Sequence, residues 1–216
     1  MNIRFCWFAA FLVLAACSSA PTRYYTLLPA TDSANANAAV PFQYSLTTVN
    51  VPVQVDQPQI VVRQGESSMR ILETEHWAAP LADEVRVALS HELRLQMGRV
   101  DGAGLAREPG LPHVSLQVDV RRFESVPGRY SLVEAAWSLR RTGIDGAHRS
   151  LTCGSVIRRG AGTGIEALVL AHQRIVKELG SRIVGTATHW MADSNAGCQI
   201  NASLAALAGA DQYLGT

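Results

Sequence analysis

The chain has 216 residues, of which 48% are hydrophobic, 17% charged and 6% aromatic, with a formal net charge of +1. This balance excludes a disordered, highly charged chain. With Lys177 the only lysine and the arginines scattered, it also offers no broad basic patch for nucleic acid or an anionic lipid surface.

The apolar run Phe5 to Ala16 is too short to cross a hydrocarbon core, which needs about 20 helical residues. Arg4 before it and small residues at its end give the three-part layout of a secretion signal. Leu14-Ala15-Ala16-Cys17 resembles the lipobox of bacterial lipoproteins. That resemblance implies a lipoprotein signal peptide over residues 1–16 and a diacylglycerol on the sulfur of Cys17, which cleavage makes the first residue. The alternative is an ordinary secretory signal with Cys17 a bystander. Cleavage leaves about 200 residues, enough for one domain with its own core. Losing Arg4 leaves basic and acidic side chains equal in number. Residues 17–23 are then a lipidated tether. Extended at about 3.5 Å per residue, Ser18 to Arg23 reaches some 20 Å, which keeps the folded body near its membrane. By similarity to lipoprotein sorting rules, Ser18 after the cysteine favours the periplasmic face of the outer membrane.

The domain is expected over residues 24–198. Tyr24 to Leu28 reads as a first strand stopped by Pro29, and Ala30 to Ala39 as a mobile polar loop. Tyr24 and Tyr25 suit either a sheet or a membrane interface. From Phe42 to Val55 the alternation changes phase between Leu46 and Val49, which predicts a bulge or bend. Ile60 to Arg63 and Met69 to Glu73 flank Gln64-Gly65-Glu66-Ser67-Ser68 as a hairpin. A helix follows, with Pro80 in its first turn, an apolar face of Leu81, Val85, Ala88, Leu89 and Leu93, and Gly98 to end it. Asp83 and Glu84 suit the dipole of that first turn.

Asp101 to Pro112 carries Gly/Pro punctuation and reads as loop. Strands are expected at His113 to Glu124, Leu132 to Arg141 and Arg149 to Ile157, the last two joined by a turn at Thr142 to Gly146. Thr163 with Glu166 gives a capping-box pattern. It opens a helix running to Met191 with Leu168, Ala171, Ile175, Leu179, Ile183, Ala187 and Trp190 on its apolar face. Charges interrupt that helix, so it is not a membrane span. The tail, residues 199–216, reads as a short helix or a frayed end. These elements predict a single two-layer α/β (α+β) domain, a mixed or largely antiparallel sheet packed against two main helices.

Cys6 leaves with the signal and Cys17 is assigned to the lipid, so Cys153 and Cys198 remain. Two such cysteines in an exported chain are expected to pair rather than to bind metal. Two buried thiols that never meet are the alternative.

Catalytic templates fail letter by letter. His91-Glu92-Leu93-Arg94-Leu95 lacks the second histidine of H-E-x-x-H, and one imidazole cannot hold a metal alone. Gly160-Ala161-Gly162-Thr163-Gly164 lacks the phosphate-loop spacing and its Lys-Ser/Thr pair, and reads as a turn into a helix. No G-x-S-x-G motif occurs. No catalytic residue, metal or cofactor is expected, and Asn201-Ala202-Ser203 carries no meaning without a eukaryotic secretory setting.

The most specific internal stretches are Asp56-Gln57-Pro58-Gln59-Ile60-Val61-Val62-Arg63 and His76-Trp77-Ala78-Ala79-Pro80-Leu81. With Tyr24-Tyr25-Thr26-Leu27, Glu134-Ala135-Ala136-Trp137-Ser138-Leu139 and the helix from Ala171 to Leu179, the chain resembles the auxiliary lipoproteins of ABC-type intermembrane transport systems, including the paraquat-inducible protein C group. Two positions depart from that pattern: His76 stands where an arginine is frequent, and Ala79 where an acidic residue is. The resemblance implies a non-enzymatic outer-membrane lipoprotein beside a permease, an ATPase and an MCE-domain protein. Such a system moves phospholipid or other hydrophobic molecules across the periplasm. The expected partners are the MCE-domain protein, the membrane through the N-terminal lipid, and phospholipid, but not nucleic acid; a homo-oligomer is left open. Candidate contacts are Pro58, Gln59, Ile60, Val61, Arg63, His76, Trp77 and Pro80. Pro58 removes a backbone donor and suits an edge strand, which could accept a partner's strand, though a covered edge is the default. Trp77 and Pro80 also fit a packing pair at the helix entry. The rival class is a stand-alone structural lipoprotein that binds envelope polymer or aids outer-membrane assembly.

Overall fold

The computed structural model describes residues 20–30, 38–193 and 195–198. The signal, Cys17, the start of the tether, most of the Ala30–Ala39 loop and the 199–216 tail lie outside the described residues. The elements run β1 (Arg23–Tyr25), β2 (Gln43–Asn50), β3 (Gln59–Arg63), β4 (Met69–Trp77), α1 (Leu81–Met97), β5 (His113–Val126), β6 (Tyr130–Thr142), β7 (His148–Gly160) and α2 (Ile165–Ala192). The fold is α+β: two helices and two mixed sheets. A small sheet has the order β1-β4-β3 and a larger one β2-β5-β6-β7. In each, one parallel pair (β1 with β4, β2 with β5) joins antiparallel neighbours.

The departures from expectation have local causes. Strand β1 ends at Tyr25, not Leu28, because the Leu27 amide turns away from the ladder to a carboxylate of α1. Strand β2 stops at Asn50, short of Val55: Pro52 has no amide to donate, and Val53 is 83% exposed. The phase change predicted in that strand is a register shift between Leu46 and Thr48 against β5. Pro80 sits one residue before α1, at its N-cap. The capping box at Thr163 and Glu166 does not form. Gly164 is the N-cap of α2, with no side-chain cap bond, so Glu166 falls one position too early to reach back. Gly98 closes α1 in the left-handed region at φ 62°, its amide donating to Arg94 O.

All seven expected apolar positions of α2 are buried, as are the five of α1. Helix α2 lies across β6 and β7, and α1 packs along α2 and against β2. Where the helices meet, a Cβ on Gly180 would approach Glu92 Cβ to 3.2 Å, so the absent side chain sets their spacing. Every second residue of β5 and β6, from Val114 to Val120 and from Val133 to Leu139, points into this layer.

The core also holds a buried seam between the sheets. Trp77, at the end of β4, meets Phe123 of β5 edge-on with centroids 6.1 Å apart. Phe123 stacks face to face on His172 of α2 at 3.9 Å. Ser125 Oγ lies 2.9 Å from His172 Nε2.

Cys153 of β7 and Cys198 beyond α2 are joined in a disulfide, their Cα atoms 5.6 Å apart and 45 residues apart in sequence. Cys198→Ala is expected to lower unfolding free energy by about 2–4 kcal/mol through the freed loop. Urea titration with and without reductant checks it: the variant and the reduced parent should coincide.

Candidate functional site

The family-derived contact residues converge on the small sheet, and the fold divides them. Register places Tyr24, His76 and Gln59 in one row across β1, β4 and β3. Tyr24 is 67% exposed and its ring stands edge-on to His76 at 5.8 Å. His76 Nε2 lies 3.1 Å from Glu73 O. Pro58 is exposed; its carbonyl accepts the Trp77 amide at 2.8 Å, so β3 begins fully paired on this side. Pro80 is exposed as well.

Four of the candidates are not surface contacts. Ile60 and Val61 are buried because β3 is covered on both faces, and Trp77 of β4 is buried against Phe123. Arg63 is committed internally: its guanidinium donates to Glu66 O at 2.8 Å and meets Glu124 of β5 at 3.2 Å. The β3 edge, attractive from Pro58 alone, therefore lies against the larger sheet. What stays accessible is a narrow face of Pro58, Gln59, His76, Pro80 and Tyr24.

Glu124 sits at the centre of a charged cluster. It accepts from Arg63 and from Arg122 at 3.1 Å, and Tyr130 Oη donates to it at 3.3 Å. Burial alone would raise its pKa, but the Arg122 hydrogen bond and the two guanidinium charges hold it below the usual carboxylate range. A second buried acid, Glu84 in the first turn of α1, is 6% exposed. Its Oε2 accepts both the Thr26 hydroxyl at 2.7 Å and the Leu27 amide at 2.8 Å. From the other side Gln173 of α2 donates to Thr26 O at 3.0 Å. At β1 itself, Tyr25 Oη donates to Glu75 at 2.5 Å, and Arg23 lies 3.8 Å from the same carboxylate. The segment that leaves the tether is thus held by β4, α1 and α2 together.

Sequence reasoning assigned Glu84 only to the helix dipole. It stands three residues after Leu81 and four before Ala88, inside the apolar stripe. An acid there must find an internal partner, and that was the readable signal. Among the described residues no group of three His, Cys, Asp or Glu side chains is placed to hold a metal. No helix there is long and apolar enough to cross a membrane. Cys17 lies outside the described residues.

Residues 25–184 match the ABC-type transport auxiliary lipoprotein component family. The chain belongs to this family. Its members' role is thereby its own at the coarse level: an auxiliary lipoprotein of an ABC-type transport system. Among curated proteins none matches significantly. One crystal structure, of an uncharacterized protein, shares the fold at 18% identity and TM-score 0.60, covering 77% of this chain and 98% of its own. A Xanthomonas campestris protein of the DUF330 family is similar at 19% identity and TM-score 0.53, covering 77% of this chain and 95% of its own. These likenesses concern the fold alone. The family match runs from Tyr25, the last residue of β1, through most of α2, so it includes Glu84, Gln59 and His76 but not Tyr24.

Two outcomes are expected. Glu84→Ala leaves the Leu27 amide without its acceptor and should cost about 1–3 kcal/mol. Hydrogen exchange at Leu27 should accelerate more than exchange in β6. His172 is fully buried, and desolvation lowers its pKa from 6.5 to about 3. The unfolded chain therefore binds a proton that the folded one refuses as pH falls below about 6.5. Stability is full above that pH and declines toward pH 3, by up to about 2 kcal/mol at pH 5 from this group. Denaturant titrations at pH 7.5 and 5.0 should show a smaller difference in His172→Gln than in the parent.

Proposed function

We propose that this lipoprotein performs no catalysis and holds an MCE-type transport assembly against the periplasmic face of the outer membrane. Cys17 carries the lipid, the MCE-domain protein is the partner, and the permease and ATPase of the same system supply the work. The observation that carries this reading is the clamp on residues 23–27. A protein that anchors an assembly must pass load from its lipid to its binding face, and here residues 23–27, at the end of the tether, are bonded to a sheet and both helices. The accessible row of Tyr24, His76 and Gln59, with Pro58 beside it, is the proposed contact face. It begins on the strand that the tether enters, which fits short-range coupling between anchor and partner.

Cys17→Ser should leave the protein unlipidated and free of the membrane fraction, while it still captures the MCE-domain protein. It should fail to restore envelope-stress resistance to a deletion strain. Persistence in the outer-membrane fraction after this substitution would sink the anchor. A photo-crosslinking residue at His76 should trap the MCE-domain protein; a yield no higher than at an exposed site such as Val156 would remove the contact face.

A further inference from the structure

Among the described residues, helices cover the larger sheet on one face only. Its other face exposes Gln117, Asp119, Arg140, Ser150 and Thr152. At the end of that face nearest the 101–112 loop lies a recess of about 420 Å³, bordered by Arg107, Arg140, His148 and Arg149 with the hydroxyls of Ser115 and Ser150. The sheet register builds it: Arg140 of β6 stands directly between Ser115 of β5 and Ser150 of β7. Arg107 reaches the same recess from the loop. In sequence these cations are far apart, which is why the arginines read as scattered; strand pairing gathers them.

Among the described residues no acidic side chain lines the recess. The acids of the two adjoining loops are engaged within those loops or with another arginine. Asp145 accepts the Ala147 amide at 3.1 Å, and Glu108 meets Arg99 at 3.4 Å. Arg149, one residue before Ser150, turns its guanidinium to the opposite, helix-covered face, where it lies over the Trp190 ring, 5.3 Å from its centroid. Like charges drawn into one concavity repel unless an anion joins them.

A second observation adjoins the first. A neighbouring recess of about 340 Å³ shares Arg107 and Ser115 and is also bordered by His113. His113 is 6% exposed; its Nε2 lies 2.9 Å from Ser45 Oγ, while its buried Nδ1 has no hydrogen-bond partner. Burial, and then the charge of Arg107, lowers its pKa.

We infer that the recess between Arg107 and Arg140 is a binding site for a phosphate-bearing anion. Guanidinium forks match phosphate oxygens in pairs, and the two serine hydroxyls supply further donors. The space falls within the range of small-ligand sites and admits either free phosphate or a phospholipid headgroup. This site does not depend on the tethering role or on the face at His76.

The test is calorimetric titration of the full chain in non-ionic detergent with three probes: inorganic phosphate, dihexanoyl phosphatidylglycerol and dihexanoyl phosphatidylcholine. Saturable binding of the glycerol lipid in preference to the choline lipid identifies a headgroup as the source. Saturable binding of inorganic phosphate without either lipid identifies the free anion. Both outcomes support the site. In each, the Arg107→Gln/Arg140→Gln pair should bind at least about tenfold more weakly, and circular dichroism should show the parent fold, since both side chains are exposed. Arg121→Gln, an exposed arginine outside the recess, should bind as the parent does. Absence of binding by inorganic phosphate and phosphatidylglycerol alike overturns the inference. So does an unchanged affinity in the paired variant, or an equal loss in Arg121→Gln.

Discussion

The two sheets meet on a column of three rings, and the position of the row at His76 follows from it. Trp77 ends the strand that pairs with β1, Phe123 belongs to the long strand at the centre of the larger sheet, and His172 comes from the covering helix. His172 stacks on Phe123 in a dry place, and burial keeps its imidazole neutral. With Trp77 turned inward, its neighbour His76 must face the other way, because adjacent strand residues alternate. The exposed row of the small sheet is therefore a consequence of the buried seam. The same seam brings β3 against β5, where Arg63 and Glu124 meet.

Much of the fold was legible because its signals are local. The apolar stripes of α1 and α2, the αL glycine at Gly98 and the β3–β4 hairpin depend on residues near one another in sequence. The parallel pairings of β1 with β4 and β2 with β5 were not legible. They join distant segments, and strands that share a register leave no periodic trace of their partner. The split into two sheets was hidden for the same reason. Ile60 and Val61 illustrate the cost: a short apolar run reads equally as an exposed edge or a doubly covered strand, and the structure covers it.

The candidate surface was legible in location and not in detail. The resemblance pointed to the right pair of segments, yet Trp77, Ile60 and Val61 serve the core, and Arg63 holds β3 to β5. Family motifs mix residues kept for packing with residues kept for contact, and a single sequence does not separate them. Polar residues on apolar stripes offered a sharper signal. Glu84 and His172 both sit where only a partnered polar group is tolerated, and each proves to join distant parts of the chain. The recess around Arg140 escaped notice because adjacency across strands is set by register, and register was the missing quantity.

The way β1 enters the small sheet also fixes how the molecule answers a pull. Force arriving at residue 20 acts on a short strand paired parallel to β4. Directed along that strand, it loads the ladder bonds together in shear; directed across it, it would peel them one after another. Beyond the strand, the bonds of Thr26 and Leu27 to Glu84 are anchored in a helix and not in the sheet. A tug that strips β1 from β4 meets a second fastening with a different axis, so no single direction of strain opens both. The N-terminal segment is a two-point mooring, and its strength depends on the angle of the line.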